Sequence, residues 1–251
     1  MTIAFIPIPG LPMVRPGDDL AALLGDAIAE ARVGLKARDV VAVCQKVVSK
    51  AEGSVVALDD VVASSFAEKL AAQTEGGKDP RAMEVVLRET KRIVRMDHGH
   101  VIVETRHGWV CANAGVDESN GVAPGVLTLL PRDADASAEQ LRAALASRFG
   151  VELAVVVTDT FGRPWREGLV EVALGCAGMD PLLDLRGRDD LAGRTLHHTV
   201  VALADEVAAA AGLVMEKDSG VAAVVVRGVQ YTAGNRGAAA LVRKPEFDLF
   251  R

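Results

Sequence analysis

The segment VVVTDTFGRPWREG, residues 155–168, holds the most concentrated chemical signal in this chain. Its valines read as a buried strand that ends abruptly at Thr158-Asp159-Thr160 and delivers a carboxylate and a hydroxyl into a Gly/Pro loop. Hard oxygen atoms at a strand end suit Mg²⁺ or Mn²⁺, which take carboxylate, hydroxyl and water oxygens. Arg163 and Arg166 follow a few residues on, and a guanidinium grips phosphate or carboxylate through paired N–H bonds. The same residues equally suit a capped turn with surface ion pairs.

A second segment, CANAGVDESNG at 111–121, crowds Asp117, Glu118 and Asn120 into one loop beside Gly115. Neighbouring carboxylates stay ionised more easily when they share a cation, although Asn, Asp, Ser and Gly also build ordinary turns. In VCQKVVSKAEG, residues 43–53, Lys46 and Lys50 follow an apolar strand. Either could meet a phosphate as a point charge, or stand solvated. The stiff loop PGLPMVRPGDD at 9–19 suits tracing a nucleotide or simply reversing the chain. Neither GxxxxGK[ST] nor GxGxxG occurs, so no P-loop and no Rossmann turn is expected. His98 with His100 and His197 with His198 lack a third ligand at metal spacing. Cys111 reads as core, with no histidine placed to activate it.

The elements that must carry these residues show in the apolar periodicity. Strands are predicted over 3–8, 40–43, 92–95, 100–106, 152–157, 169–174 and 221–226. Helices are predicted over 20–32, with Asp18 or Asp19 as cap, and over 60–73, 80–89, 136–148 and 199–211. Strands and helices mix without strict βαβ alternation, so the class is α+β or mixed α/β. No repeat, low-complexity run or Gly/Ser linker marks a boundary, and any domain division must be interleaved.

Composition excludes several functions. The 251 residues are 50% hydrophobic with a formal net charge of −6, so no global positive field collects nucleic acid or anionic membrane. Anionic substrates must then be held by local Lys, Arg, backbone amides or bound cations. Three scattered cysteines, without a CxxC pair, read as reduced cytoplasmic packing residues. Residues 1–9 lack the basic region and long apolar core of a signal peptide. The apolar stretch 199–215 is interrupted by Asp205 and Glu206 and reads as a buried helix, not a membrane span.

Taken in order, PGLP at 9–12, QKVVSKAEG at 45–53, NAGVDESN at 113–120, TDTFGRPWREG at 158–168 and DLFR at 248–251 closely resemble the coenzyme F420-0:L-glutamate ligase (F420 gamma-glutamyl ligase) family. The resemblance runs from about Ile6 to Arg251. It implies one domain over 1–251, divided if at all into two interleaved subdomains, in a two-lobed mixed α/β fold, without the nitroreductase-like domain some bacterial relatives carry. It implies a cytoplasmic homodimer that uses GTP, Mg²⁺ or Mn²⁺ and K⁺ to add L-glutamate to coenzyme F420-0, then often a second glutamate to F420-1. GTP would leave as GDP and phosphate through an acyl-phosphate intermediate. By motif, Pro9, Gly10, Leu11, Pro12, Gln45, Lys50 and Asn120 would contact GTP, Asp117 and Asp159 would hold one metal, and Thr160 would help hold a second. Arg163 and Arg166 are assigned by charge and proximity to the phosphodiester or carboxylates of the substrates, completing a catalytic set with Asp117 and Asp159.

One departure stands out. Where the family often has a glutamine after the last long helix, this chain reads VMEKDSG, with Glu216 and Lys217 near that position. A protonated lysine does not ligate a metal, whereas Glu216 could, and a nucleotide role suits both. Alternatives that share these loops are an amide ligase for another cofactor acid, a GTP-binding regulatory module and a metal-dependent phosphohydrolase.

Overall fold

A computed structural model describes residues 2–74, 77–97 and 100–248. Along the chain run β1 (Ala4–Pro7), α1 (Leu20–Glu30), β2 (Val40–Cys44), α2 (Gln45–Ala51), β3 (Val55–Ala57), α3 (Ser65–Ala72) and α4 (Pro80–Glu89). There follow β4 (Thr90–Asp97), β5 (His100–Thr105), β6 (Val110–Ala112), β7 (Val126–Thr128) and α5 (Ala134–Phe149). The chain continues with β8 (Ala154–Arg163), β9 (Arg166–Ala177), β10 (Leu183–Asp184), β11 (Val200–Val201), α6 (Leu203–Gly212) and β12 (Ala223–Arg227). The class is mixed α/β.

The main sheet has the order β1-β12-β2-β8-β9. Only β2 and β8 pair in parallel, with Val40 opposite Ala154 and Cys44 opposite Thr158. Both strands are buried on two faces, which explains their unbroken apolar runs. Val41, Val43, Val155 and Val157 pack with Leu24 and Ile28 of α1 and Leu141 and Leu145 of α5. Val40, Ala42, Ala154 and Val156 face the other way, onto Ala204, Val207, Ala208 and Ala211 of α6. After α2 the chain leaves this sheet and builds a smaller lobe. There Met83 of α4 and Leu70 of α3 cover Val101 and Val103 in the sheet β4-β5-β6, while β3 pairs with β7. The chain returns to the main sheet through α5. Among the described residues no helix is long and apolar enough to cross a membrane.

Several elements differ from the sequence expectation. Residues 45–51 form α2, so Lys46 and Lys50 sit on a helix that begins as β2 ends. The apolar strand at 152–157 does not stop at Thr158. It continues to Arg163 and pairs with β9, leaving Pro164 and Trp165 as the turn, with Trp165 at φ +57°. Polar residues at 158–160, with Gly162 and Arg163, hid this extension; within it Phe161 still packs against Leu130, Ala134 and Leu174. Helix α3 starts at Ser65, capped by Ser64 Oγ, after a 3₁₀ turn at Leu58–Asp60. Residues 200–201 are strand, and α6 starts at Leu203. The short strands β3, β6, β7, β10 and β11 went unread, each being only two or three residues long. His98 and residues 249–251 of the DLFR motif lie outside the described residues.

Candidate functional site

Because β2 and β8 are parallel, their carboxyl ends open on the same edge of the sheet, where α/β proteins commonly bind ligands. A cavity of about 590 Å³ lies there. The smaller lobe contributes Asn113, Asp117 and Asn120, the first loop contributes Leu11 and Pro12, and α2 contributes Lys46 and Lys50. Asp159, Thr160 and Glu171 come from the β8–β9 hairpin, and Glu216, Lys217 and Asp218 from the segment after α6.

Asp117 is fixed at both backbone and side chain. Its N–H donates to the Thr128 carbonyl at 3.0 Å and its carbonyl accepts from Thr128 N–H at 2.8 Å, tying it to β7. The preceding turn stores strain: Asn113, Ala114 and Gly115 take φ of +52°, +55° and +71°, a run that costs an alanine about 1–2 kcal/mol. Gly115 is required there, since a Cβ would lie 2.7 Å from the Leu130 side chain. The Asp117 carboxylate accepts from Lys46 Nζ at 2.6 Å, Ser119 N–H at 2.8 Å and Ser119 Oγ at 2.9 Å. Burial pushes its carboxyl up, but Lys46 and Ser119 outweigh this and hold it below the usual range.

Asp159 behaves oppositely. Burial lifts its carboxyl to about 7, the Thr160 N–H and Lys46 lower it, and the charges of Glu171 and Asp117 add to the rise. Strand parity explains how one strand supplies two kinds of ligand. Val155 and Val157 face the α1/α5 layer, and Ala154 and Val156 the α6 layer. Asp159 therefore continues the first face and Thr160 the second, and the cavity wraps the sheet edge to take both. Thr160 Oγ1 donates to Glu171 Oε1 at 2.7 Å.

The remaining cationic and polar groups close the cavity. Lys50 is only 4% exposed, and burial, followed by repulsion from Lys46, lowers its ammonium pKa. Asn120 Nδ2 donates to the Lys217 carbonyl at 3.3 Å, joining the smaller lobe to the segment after α6. Cys44 and Cys111 border the cavity too, but burial pushes their thiols up to about 11 and about 12. They are inert at neutral pH.

Among the described residues no three His, Cys, Asp or Glu side chains stand grouped as a ready-made metal cage. Mg²⁺ and its analogues do not need one, since they commonly bind through one or two carboxylates plus substrate phosphates and water. Asp117, Asp159 and Thr160 fit that pattern, and a carboxyl lifted by burial, and further by the charges of Glu171 and Asp117, is one a cation would relieve.

Residues 10–228 match the family described as F420-0:Gamma-glutamyl ligase. Proteins named coenzyme F420:L-glutamate ligase from Methanothermobacter thermautotrophicus and Methanopyrus kandleri are 46% and 49% identical to this chain. Both alignments span 100% of this chain, and they span 100% and 98% of those proteins. A protein of the same name from Haloarcula marismortui is 42% identical over 97% of this chain and 94% of its own length. The chain belongs to the F420-0:gamma-glutamyl ligase family.

Of the residues drawn from that family's motifs, Leu11, Pro12, Lys50, Asp117, Asn120, Asp159 and Thr160 border the cavity, and Glu216 and Lys217 join them. Pro9 and Gly10 do not border it; they follow Ile8, which is fully buried and hydrogen-bonded to the Ala223 carbonyl. Gln45 is 1% exposed behind the cavity wall, where its Oε1 accepts from Ser49 Oγ at 2.8 Å. Arg163 and Arg166 lie at the hairpin tip outside the cavity, Arg163 Nη2 donating to the Glu167 carbonyl. Glu118 is exposed, with Oε1 accepting from Gly125 N–H at 3.4 Å. His100, His197 and His198 do not border the cavity. Glu171 went unread in the sequence; its one signal is a lone carboxylate inside the apolar run LVEVAL.

Proposed function

We propose that this chain ligates L-glutamate to coenzyme F420-0, and then to F420-1, as a cytoplasmic homodimer in coenzyme F420 biosynthesis. The reaction consumes GTP and passes through an acyl phosphate. A carboxylate resists amine attack because its leaving group would be oxide. Transfer of the γ-phosphoryl group replaces that oxide with phosphate: the substrate carboxylate oxygen attacks the γ-phosphorus and the bond to GDP breaks. The glutamate nitrogen then attacks the acyl carbon, and phosphate leaves as the amide forms. Such transfers need alignment and charge neutralisation above all.

The residues divide that work. Asp117, Asp159 and Thr160 would hold Mg²⁺ or Mn²⁺, with K⁺ as a further cation. The divalent ion, when bound, neutralises phosphate charge. Lys46 keeps Asp117 ionised and aimed through its 2.6 Å contact. Lys50 offers a largely desolvated ammonium to the phosphates. Leu11 and Pro12 form an apolar wall, and Asn120 with Lys217 bridges the cavity rim. The reading rests chiefly on one observation: Asp117 and Asp159, from separate lobes, share a single cavity with Lys46, Lys50 and Lys217.

The test is mass spectrometry of F420-0 incubated with the protein, GTP, Mn²⁺ and L-glutamate. The expected result is a product larger by one glutamyl residue, formed with GDP. GTP hydrolysis that ignores glutamate would instead make the protein a phosphohydrolase, and tight GTP binding without turnover would make it a regulatory module.

A further inference from the structure

Thr160 and Glu171 are direct partners across the antiparallel β8–β9 ladder, so their side chains rise from the same face. Two local features make this pairing. The register passes from Val157 opposite Gly175 to Thr158 opposite Ala173, so Leu174 is an extra residue in β9. An unbulged ladder would set Val172 opposite Thr160. Bulges re-aim side chains in this way beside functional sites. Here Asp205 of α6 supports the bulge, its Oδ1 accepting from Ala173 N–H at 2.9 Å. The second feature is Gly212, the last residue of α6, where a Cβ would stand 2.6 Å from Glu171 Cγ. Helix α6 thus both sets the phase of β9 and leaves room for the Glu171 side chain.

A threonine hydroxyl has one hydrogen and two lone pairs. With the hydrogen committed to Glu171 at 2.7 Å, Thr160 has only lone pairs to offer the cavity it borders. We propose that Glu171 is a positioning residue of this site: it holds the Thr160 hydroxyl as an acceptor facing the bound cation, in a pocket that Gly212 keeps open. This rests on the reading of Thr160 as a cation ligand. Glu171, which also borders the cavity, acts through its hydrogen bond to Thr160, in the manner of carboxylates that orient metal ligands.

The experiment titrates the purified full chain with Mn²⁺ alone, following free Mn²⁺ by electron paramagnetic resonance, and then measures GDP formation. Glu171→Met removes the acceptor. It should weaken Mn²⁺ binding about 10–100-fold, the usual loss when such a partner is removed, without lowering the metal-free melting temperature. Glu171→Gln keeps a carbonyl oxygen at the same reach and should restore most of the affinity. Gly212→Ala pushes Glu171 from behind and should weaken binding in the same direction. Wild-type Mn²⁺ affinity in Glu171→Met or in Gly212→Ala would overturn the inference, as would a Glu171→Gln protein as impaired as Glu171→Met. A wild type that binds Mn²⁺ and forms the glutamyl product beside an unaffected Glu171→Met sinks this inference alone. A wild type that binds no Mn²⁺ sinks it together with the proposed metal chemistry.

Discussion

Replacing Asp159 by Asn should stabilise the metal-free protein while abolishing its activity. The folded state lifts this carboxyl from 3.8 to about 7, chiefly by burial. A group whose folded pKa lies above its unfolded value takes up a proton on folding between those two values. Its contribution is therefore fully favourable below pH 4 and is lost as pH rises through 7, at up to about 1.4 kcal/mol per pH unit. The full shift would amount to about 4 kcal/mol. Water in the open cavity screens part of it, so about 2 kcal/mol is the working figure. Asparagine carries no charge and escapes this penalty. Metal-free Asp159→Asn should accordingly melt about 4–8 °C above wild type at pH 8, given the scaling for a chain of this size, and the two should converge near pH 4. Excess Mn²⁺ should reverse the order, because a ligand stabilises only the protein that binds it, by about 2.7 kcal/mol at a hundredfold excess over Kd. Thermal denaturation across pH 4–8, with and without Mn²⁺, reads all of this directly. An Asn variant no more stable than wild type at pH 8 would refute the reasoning, since Asp159 would then carry no costly buried charge.

Other outcomes follow from the same geometry. Lys46→Met strips a donor from Asp117; the pair is partly exposed, at 13% and 39%, so the stability loss in urea should be about 1–2 kcal/mol. Because Lys46 helps hold the Asp117 carboxyl down, the acid limb of the pH profile for GDP formation should move to higher pH; an unmoved limb would remove Lys46 from that role. Gly175→Ala drives a Cβ to 2.0 Å from the Ala134 carbonyl oxygen, and should cost about 3 kcal/mol in urea denaturation; a wild-type midpoint would contradict that close approach of α5 to β9. Iodoacetamide at pH 7.5 should leave activity intact, because Cys44 and Cys111 stay protonated at about 11 and about 12, whereas rapid inactivation would show a thiol far more acidic than its burial allows.

How legible these features were depended on where their causes lay. Helix α4 was read at its observed bounds, 80–89, because its signals are local: Asp79 caps it with Oδ1 on Arg81 N–H, and Pro80 opens it. The core of β8 was equally plain, since a strand covered on both faces must be apolar throughout. The outer half of β8 was not, because Asp159 to Arg163 are strand only through pairing with β9, and nothing local distinguishes them from a loop. The seven-residue α2 was hidden for a related reason: its N-cap, Cys44, makes no side-chain cap hydrogen bond.

The same division runs through the site. Composition, motif order and residue chemistry alone singled out the oxygen-bearing loops, the lysines and the family, because these depend on which side chains are present. Which of them meet is a matter of long-range pairing. The parallel register of β2 and β8 brings Lys46 beside Asp159, the Asp117–Thr128 bridge fixes the loop whose carboxylate meets Lys46, and the β9 bulge sets Glu171 rather than Val172 against Thr160. Whether a carboxyl sits below the usual range, as at Asp117, or near 7, as at Asp159, is likewise decided by burial and neighbours contributed from distant parts of the chain.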